Sequence, residues 1–215
     1  MPFHPINAAN ACVHRARRLL AFAENQLPDP QIRGDLRRSA LVLAVTAVDS
    51  YMHWLVYRRI SAVRREGDLP KVLAKLDIPF SDFASLADAT LRARQEDHNL
   101  RPWVQVKNAV QRRLLTETFQ SYDQVGTALS LAGIEKGWSK TANALGIKQG
   151  DIKTRLNQLV HRRNQIVHEG DIKRSSRPQK LQYNDVGQAE VSADVDWIEQ
   201  LVAAIEQVVA TGNPP

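Results

Sequence analysis

The sequence predicts an all-α protein of about six to eight helices. Apolar residues recur at helical spacing along most of the chain, no segment alternates convincingly with period two, and prolines and glycines punctuate the periodic stretches. With 215 residues, 43% hydrophobic and 24% charged, the chain can close a core of its own, and residues 1–215 read as one domain without internal repeats.

Taken in order, Val13, Arg17, Leu20 and Ala21 mark a helix over 12–24, which the prolines of Leu27-Pro28-Asp29-Pro30 end. A long apolar helix follows over 35–65 and stops at Glu66-Gly67-Asp68. Its stretch 39–57 is the one candidate membrane span. It is short, however, and carries Asp49 and His53, and an Asp at mid-membrane costs about 2.5–3.5 kcal/mol, so a core helix and no membrane partner are expected. Residues 68–80 hold Pro70 and Pro79 and read as a connector with one turn of helix. Ser81-Asp82-Phe83 caps a helix over 81–95, Pro102 starts one over 103–119, and shorter helices are expected over 120–133 and 138–145. Gly150-Asp151 opens a strongly periodic helix that reaches Glu169. The polar segment 171–193, with Pro178 and Gly187, reads as a loop with room for one short hairpin, and an acidic helix over 195–210 closes the chain.

Charge and cysteine content narrow the partners. Cys12 is the only cysteine, which excludes an internal disulfide framework and a multi-thiolate zinc site and points to a reducing compartment. The first residues lack the apolar core of a signal peptide, so the cytoplasm is the expected location. The net charge is +6, but residues 1–184 carry +12 and residues 185–215 carry six acids and no base. Such a basic body suits an acidic partner such as nucleic acid. Twelve of the 20 arginines fall in six Arg-Arg pairs, most of which are expected to be solvated helix faces.

One helix departs from that bland reading. At about 100° per residue, with Leu156 at zero, Ile152 falls near −40°, Leu159 near −60°, Val160 near +40°, Ile166 near −80° and Val167 near +20°. Arg163 falls near −20°, inside this apolar stripe, where a permanently charged guanidinium is unfavourable unless it is paired or faces a wet interface. Asn157, His161, Asn164 and His168 line up along one flank. His161 and His168 are seven residues apart with no carboxylate to complete a ligand set, so neither a metal nor another cofactor is expected. An arginine, an amide and an imidazole can instead meet one anionic group. These are parts for metal-free phosphodiester chemistry on RNA, in which the substrate's own 2′-hydroxyl attacks. The competing reading is a capped helix end with His168 and Glu169 in solvent.

The run Arg163-Asn164-Gln165-Ile166-Val167-His168 resembles the R-x4-6-H motif of HEPN domains, in which a polar residue, often Asn, follows the Arg. The surroundings resemble the RiboL-PSP-HEPN group: Trp138-Ser139-Lys140 and Leu145-Gly146-Ile147 lead through Asp151-Ile152 to Leu159 and on to Glu169-Gly170-Asp171. The apolar helix with Thr46-Ala47-Val48-Asp49-Ser50-Tyr51 resembles the family's other core helix, and the likeness covers about residues 10–210. It implies a helical bundle with long central antiparallel helices, dimerised so that both motif copies face a shared cleft. Many members are metal-independent endoribonucleases in toxin, antiviral or RNA-processing systems, some with a cognate antitoxin or inhibitor. Others only bind nucleotide or RNA. The implied roles are Arg163 on the scissile phosphate, His168 as general base or acid, and Asn164 orienting the phosphate or the imidazole, with 2′,3′-cyclic phosphate and 5′-hydroxyl products.

Other residues carry two readings each. Asp49, in an apolar helix, either pairs with Arg163 or orients His168, or else forms a structural ion pair with another arginine. His161 shares the flank of His168, and Arg162 sits where it can meet RNA backbone or solvent. Lys173 and Arg174, with Arg177 and Lys180, directly follow the motif and can cover substrate. Tyr51, Trp103, Trp138 and Trp197 read as packing residues, and His53 as a core or interface histidine. Residues 139–147, followed by a helix, resemble the start of a helix-turn-helix, but the N-terminus of that helix offers only Asp151, Lys153 and Thr154 for reading DNA.

Overall fold

One helix organises the bundle. Asp29 caps it by accepting hydrogen bonds from the N–H groups of Gln31 (2.8 Å) and Ile32 (3.4 Å), with Pro30 at the first helical position, where its missing N–H is harmless. The helix, Pro30–Ala62 (α2 below), buries Leu41, Val45, Val48, Tyr51, Met52 and Val56 along one broad face. The computed structural model describes residues 4–25, 28–63, 69–77, 79–95, 102–174 and 181–212. Among these it shows eight α-helices, a 3₁₀ turn at Leu73–Lys75 and no strand. By length and composition α2 is apolar enough to cross a membrane, yet its apolar residues meet protein neighbours.

Those neighbours follow from the sequence pattern. Helix α1 (Pro5–Asn25) lays the mostly small residues Ala9, Val13, Ala16, Leu20 and Ala23 on α2, and the pairs Glu24–Arg37 and Cys12–Ser50 show that the two run antiparallel. Helix α4 (Pro102–Leu114) packs against the last turns of α2, and α3 (Phe80–Gln95) packs on α4 and buries only Ala93. Next, α5 (Tyr122–Leu131) is held by a reciprocal capping box between Ser121 and Gln124. α6 (Gly137–Leu145) ends at Gly146, whose left-handed φ of 68° suits glycine. α7 (Gln149–Glu169) buries Ile152, Leu156 and Leu159 towards α2, and α8 (Gln188–Gly212) covers α1, α2 and α6 with Val191, Val195, Ile198, Leu201, Val202 and Ile205. Each such buried aliphatic side chain contributes about 1.5–3 kcal/mol.

Four element boundaries differ by five or more residues from the sequence reading, the first being that of α2, which starts at Pro30 instead of 35. α1 starts at Pro5, seven residues earlier than its apolar periodicity announces. α4 stops at Leu114, and the turn after it carries Phe119 and Gln120 back to α2. α8 starts at Gln188 instead of 195, because the Gln188 side chain bonds both the Leu20 carbonyl and the Arg37 guanidinium, and Val191 extends the buried stripe. The loop expected over 171–193 is therefore shorter. It opens as a hairpin, with an antiparallel bridge between Ile172 and Tyr183 and the Lys173 N–H donating to the Gln182 carbonyl at 2.7 Å.

Candidate functional site at the end of helix α7

The apolar stripe of α7 does not stay buried. Ile152 and Leu156 are fully enclosed, but Val167, about three turns beyond Leu156, is 46% exposed. Arg163 stands at that transition. Its Nε is buried and has no hydrogen-bond partner, while its Nη1 donates to the Asn164 Oδ1 at 3.0 Å. No carboxylate pairs with it among the described residues, so this charge stands half-buried on an apolar stripe with no acid among them to neutralise it. Asn164, His161 and His168 are exposed on the flank where the periodicity places them, and His168 makes no side-chain hydrogen bond among the described residues. The arrangement brings a guanidinium, an amide and an imidazole to one solvent-facing helix end.

The neighbouring arginine is used differently. Arg162 Nη1 and Nη2 grip Asp171, the second at 3.0 Å, and Nη2 also donates to the Asp185 carbonyl at 2.8 Å. From α2, Arg38 Nε donates to the Asp171 Oδ2 at 2.6 Å and its Nη2 to the Asn184 carbonyl at 2.8 Å, and the Asn184 amide closes on the other oxygen at 3.0 Å. The Asp171 carboxylate is 0% exposed and holds a left-handed φ of 58°, just after Gly170 caps α7 at φ 63°. Two guanidiniums and an amide satisfy it fully, which makes it the anchor that fixes where α7 ends. Arg162, read from the sequence as a contact to RNA backbone, is thus spent inside the fold.

Asp49 also departs from both of its readings. It meets neither Arg163 nor any other arginine among the described residues. Its Oδ1 accepts the Phe119 N–H at 2.6 Å, its Oδ2 accepts from the Gln120 amide at 3.4 Å, and His53 stands 3.7 Å away, so it fastens the turn after α4. Asn157, at the start of the polar flank, accepts the Tyr122 N–H at 3.0 Å and so belongs to the fold of α5. Lys173 is exposed, and the exposed Arg174 pairs with Glu169 at 2.9 Å. Arg177 and Lys180 lie outside the described residues.

The tyrosine and two of the tryptophans pack as expected. The buried Tyr51 hydroxyl donates to Glu206 at 2.6 Å, and burial together with that carboxylate raises its pKa far above the ordinary range. Trp138 stacks on Tyr122 with ring centres 4.4 Å apart and donates to the Tyr122 carbonyl, and Trp197 is buried beneath Arg155. Among the described residues no group of three or more His, Cys, Asp or Glu side chains gathers at a point that could hold a metal ion.

Sequence reasoning missed Asp171. The available signal was its place: an acid directly after a helix-ending glycine, within a few residues of an Arg-Arg pair.

An all-α bundle whose long apolar helix supports a second helix ending in an Arg-Asn…His edge defines a HEPN-type domain. The chain belongs to the RiboL-PSP-HEPN family, whose model matches residues 10–211. No curated protein and no solved structure matches it. Membership of the family points to a nuclease or RNA-related role.

Proposed function

We propose that the protein is a metal-independent endoribonuclease that works as a homodimer, with the α7 ends of two copies lining one cleft. The observation that carries this reading is Arg163. Its charge sits on an apolar stripe with a buried, unpartnered Nε and no carboxylate, and the stripe beyond it is left open at Val167. A second copy over this end covers the apolar residues and leaves the guanidinium facing a polar cleft, where a phosphate supplies the missing partner.

In the reaction His168 takes the proton of the 2′-hydroxyl, the freed oxygen attacks the adjacent phosphorus, and the bond to the 5′-oxygen breaks. The second copy's imidazole, protonated, delivers a proton to that leaving oxygen. Arg163 holds the phosphate as charge builds on its non-bridging oxygens, and Asn164, already bonded to Arg163, sets the angle of the guanidinium. The products are a 2′,3′-cyclic phosphate and a 5′-hydroxyl.

One observation favours a second reading, in which the domain binds RNA or docks a partner protein without cutting. No side chain among the described residues bonds His168 to fix its tautomer, and Asp49 is committed elsewhere. Incubation with RNA in EDTA separates the two. Cleavage with cyclic-phosphate ends that is lost in His168→Ala and kept in Lys140→Ala, an exposed cation on α6, supports the enzyme. A folded dimer that binds RNA and leaves it intact overturns it in favour of binding. A strictly monomeric protein at micromolar concentration removes the shared cleft.

A further inference from the structure

The outer face of α1 carries a second set of unpaired arginines. Arg15, Arg18, Phe22 and Asn25 fall within an arc of roughly 80° on that helix, turned away from the buried Ala16 and Leu20. With Leu19 and Leu43 of α2 they line an open groove of about 510 Å³. Arg15 and Arg18 are exposed and have no acidic partner among the described residues, and Phe22 leaves 44% of its surface in solvent beside them. Arg17, on the same turn but facing α8, is bound to Asp196 at 2.8 Å and Glu199 at 2.5 Å, and the acids of the C-terminal helix are thereby used up on that flank. The groove keeps a positive charge that the acidic segment does not mask.

Its position relates it to the candidate site. Leu43, on the floor of the groove, lies five residues after Arg38, the residue that grips Asp171 at the end of α7. Five residues correspond to about 7.5 Å along α2 and roughly 140° around it. The arc between them holds Val42, Thr46 and Ser39, none of them fully buried. The groove is therefore level with the Arg163 end of α7, on the other side of one exposed flank of α2.

We propose that this groove is an RNA-binding subsite, in which Arg15 and Arg18 hold backbone phosphates of the strand flanking the bond to be cut and Phe22 stacks on an unpaired base. The subsite rests on the reading of the protein as an RNA-acting HEPN domain. Charge complementarity selects the occupant: two unpaired guanidiniums suit phosphates, and an exposed aromatic ring beside them suits the face of a base in a single strand. Base stacking of this kind contributes through Phe22 whatever the base, so the subsite tracks strand and not sequence.

The test compares the Arg15→Ala/Arg18→Ala protein with a charge-matched control, Arg92→Ala/Arg94→Ala on α3, and with the unaltered chain. For a fluorescent single-stranded RNA, the groove variant is expected to show a KM about tenfold higher at low salt with kcat unchanged. Its log–log salt dependence should be shallower by about 1.4, since each phosphate contact on a single strand contributes about 0.7. Its melting temperature should be unchanged, and the control should behave like the unaltered chain. Equal KM and salt slope for the groove variant, or an equal loss in the control, overturns the subsite.

If the protein cuts nothing, the same three chains are read by fluorescence anisotropy on the same RNA. Binding that weakens only in the groove variant upholds the subsite while the nuclease reading falls. Poly-glutamate binding through Arg15 and Arg18 in place of RNA overturns it.

Discussion

Two adjacent arginines on α7 meet opposite fates. Arg162 turns towards the loop before α8 and, with Arg38, encloses the fully buried Asp171 carboxylate and satisfies it. Arg163, about 100° further round the helix, turns towards the apolar stripe and finds no acid among the described residues. The first arginine belongs to stability, and the second is the one proposed to meet a phosphate. A helix can carry both because consecutive residues face different neighbours, so a dipeptide that looks like one feature is two.

The largest effect expected from this contrast is on the Asp171 side. Removing the carboxylate in Asp171→Ala leaves two guanidiniums facing each other without an acid, and breaking such a buried cluster costs about 3–5 kcal/mol. Chemical denaturation should show that loss, with RNA activity falling because the end of α7 is released. Arg163→Ala should do the reverse: stability unchanged or raised, since an unpaired guanidinium leaves an apolar stripe, with loss of RNA cleavage or binding. Equal destabilisation by the two substitutions would break the contrast.

The stripe itself supplies the next pair. Leu156→Ala, at 0% exposure, should cost about 2–5 kcal/mol through lost burial and the cavity left behind, measured by urea denaturation. Val167→Ala, on the same stripe but half in solvent, should stay within about 0.5 kcal/mol in the monomer. If Val167→Ala instead weakens self-association measured by sedimentation, the open end of α7 is a contact between copies.

The same contrast explains what could be read in advance. Periodicity gave α7 nearly to the residue, because Ile152, Leu156 and Leu159 repeat on one face, and it placed Arg163 on that face correctly. It could not say which arginine has a partner. Asp171 gathers Arg38 from 133 positions away and Arg162 from nine, and no local pattern encodes the first contact. Asn157 shows the same limit. It shares the polar flank with Asn164 and His168, yet the Tyr122 N–H at the start of α5 donates to its side-chain Oδ1. The start of α8 is harder to read because Gln-Ala-Glu-Val-Ser-Ala carries one large apolar residue and no clear stripe, and the contacts of Gln188 with Leu20 and Arg37 come from distant parts of the chain.

The smallest effect lies where an acid is poorly paired instead of well paired. Asp194 on α8 is largely covered, and its one basic contact among the described residues, Arg155 Nη2, stands 3.6 Å away. Burial raises its carboxyl above the ordinary range, nearby Glu190 adds to the rise, and Arg155 only partly offsets it. The folded protein therefore holds this proton more tightly than the unfolded chain. The stability it contributes is fully present below the unfolded value, near pH 3.9, and is lost as pH rises through the raised folded value. Asp194→Asn lacks that titration, so the stability difference between Asp194→Asn and the unaltered chain should shift in favour of the variant as pH rises from 4 to 7. A difference that stays flat across this range would mean that Arg155 pairs with Asp194 as fully as Arg162 and Arg38 pair with Asp171, and the division between used and unused charges would have to be redrawn on that face.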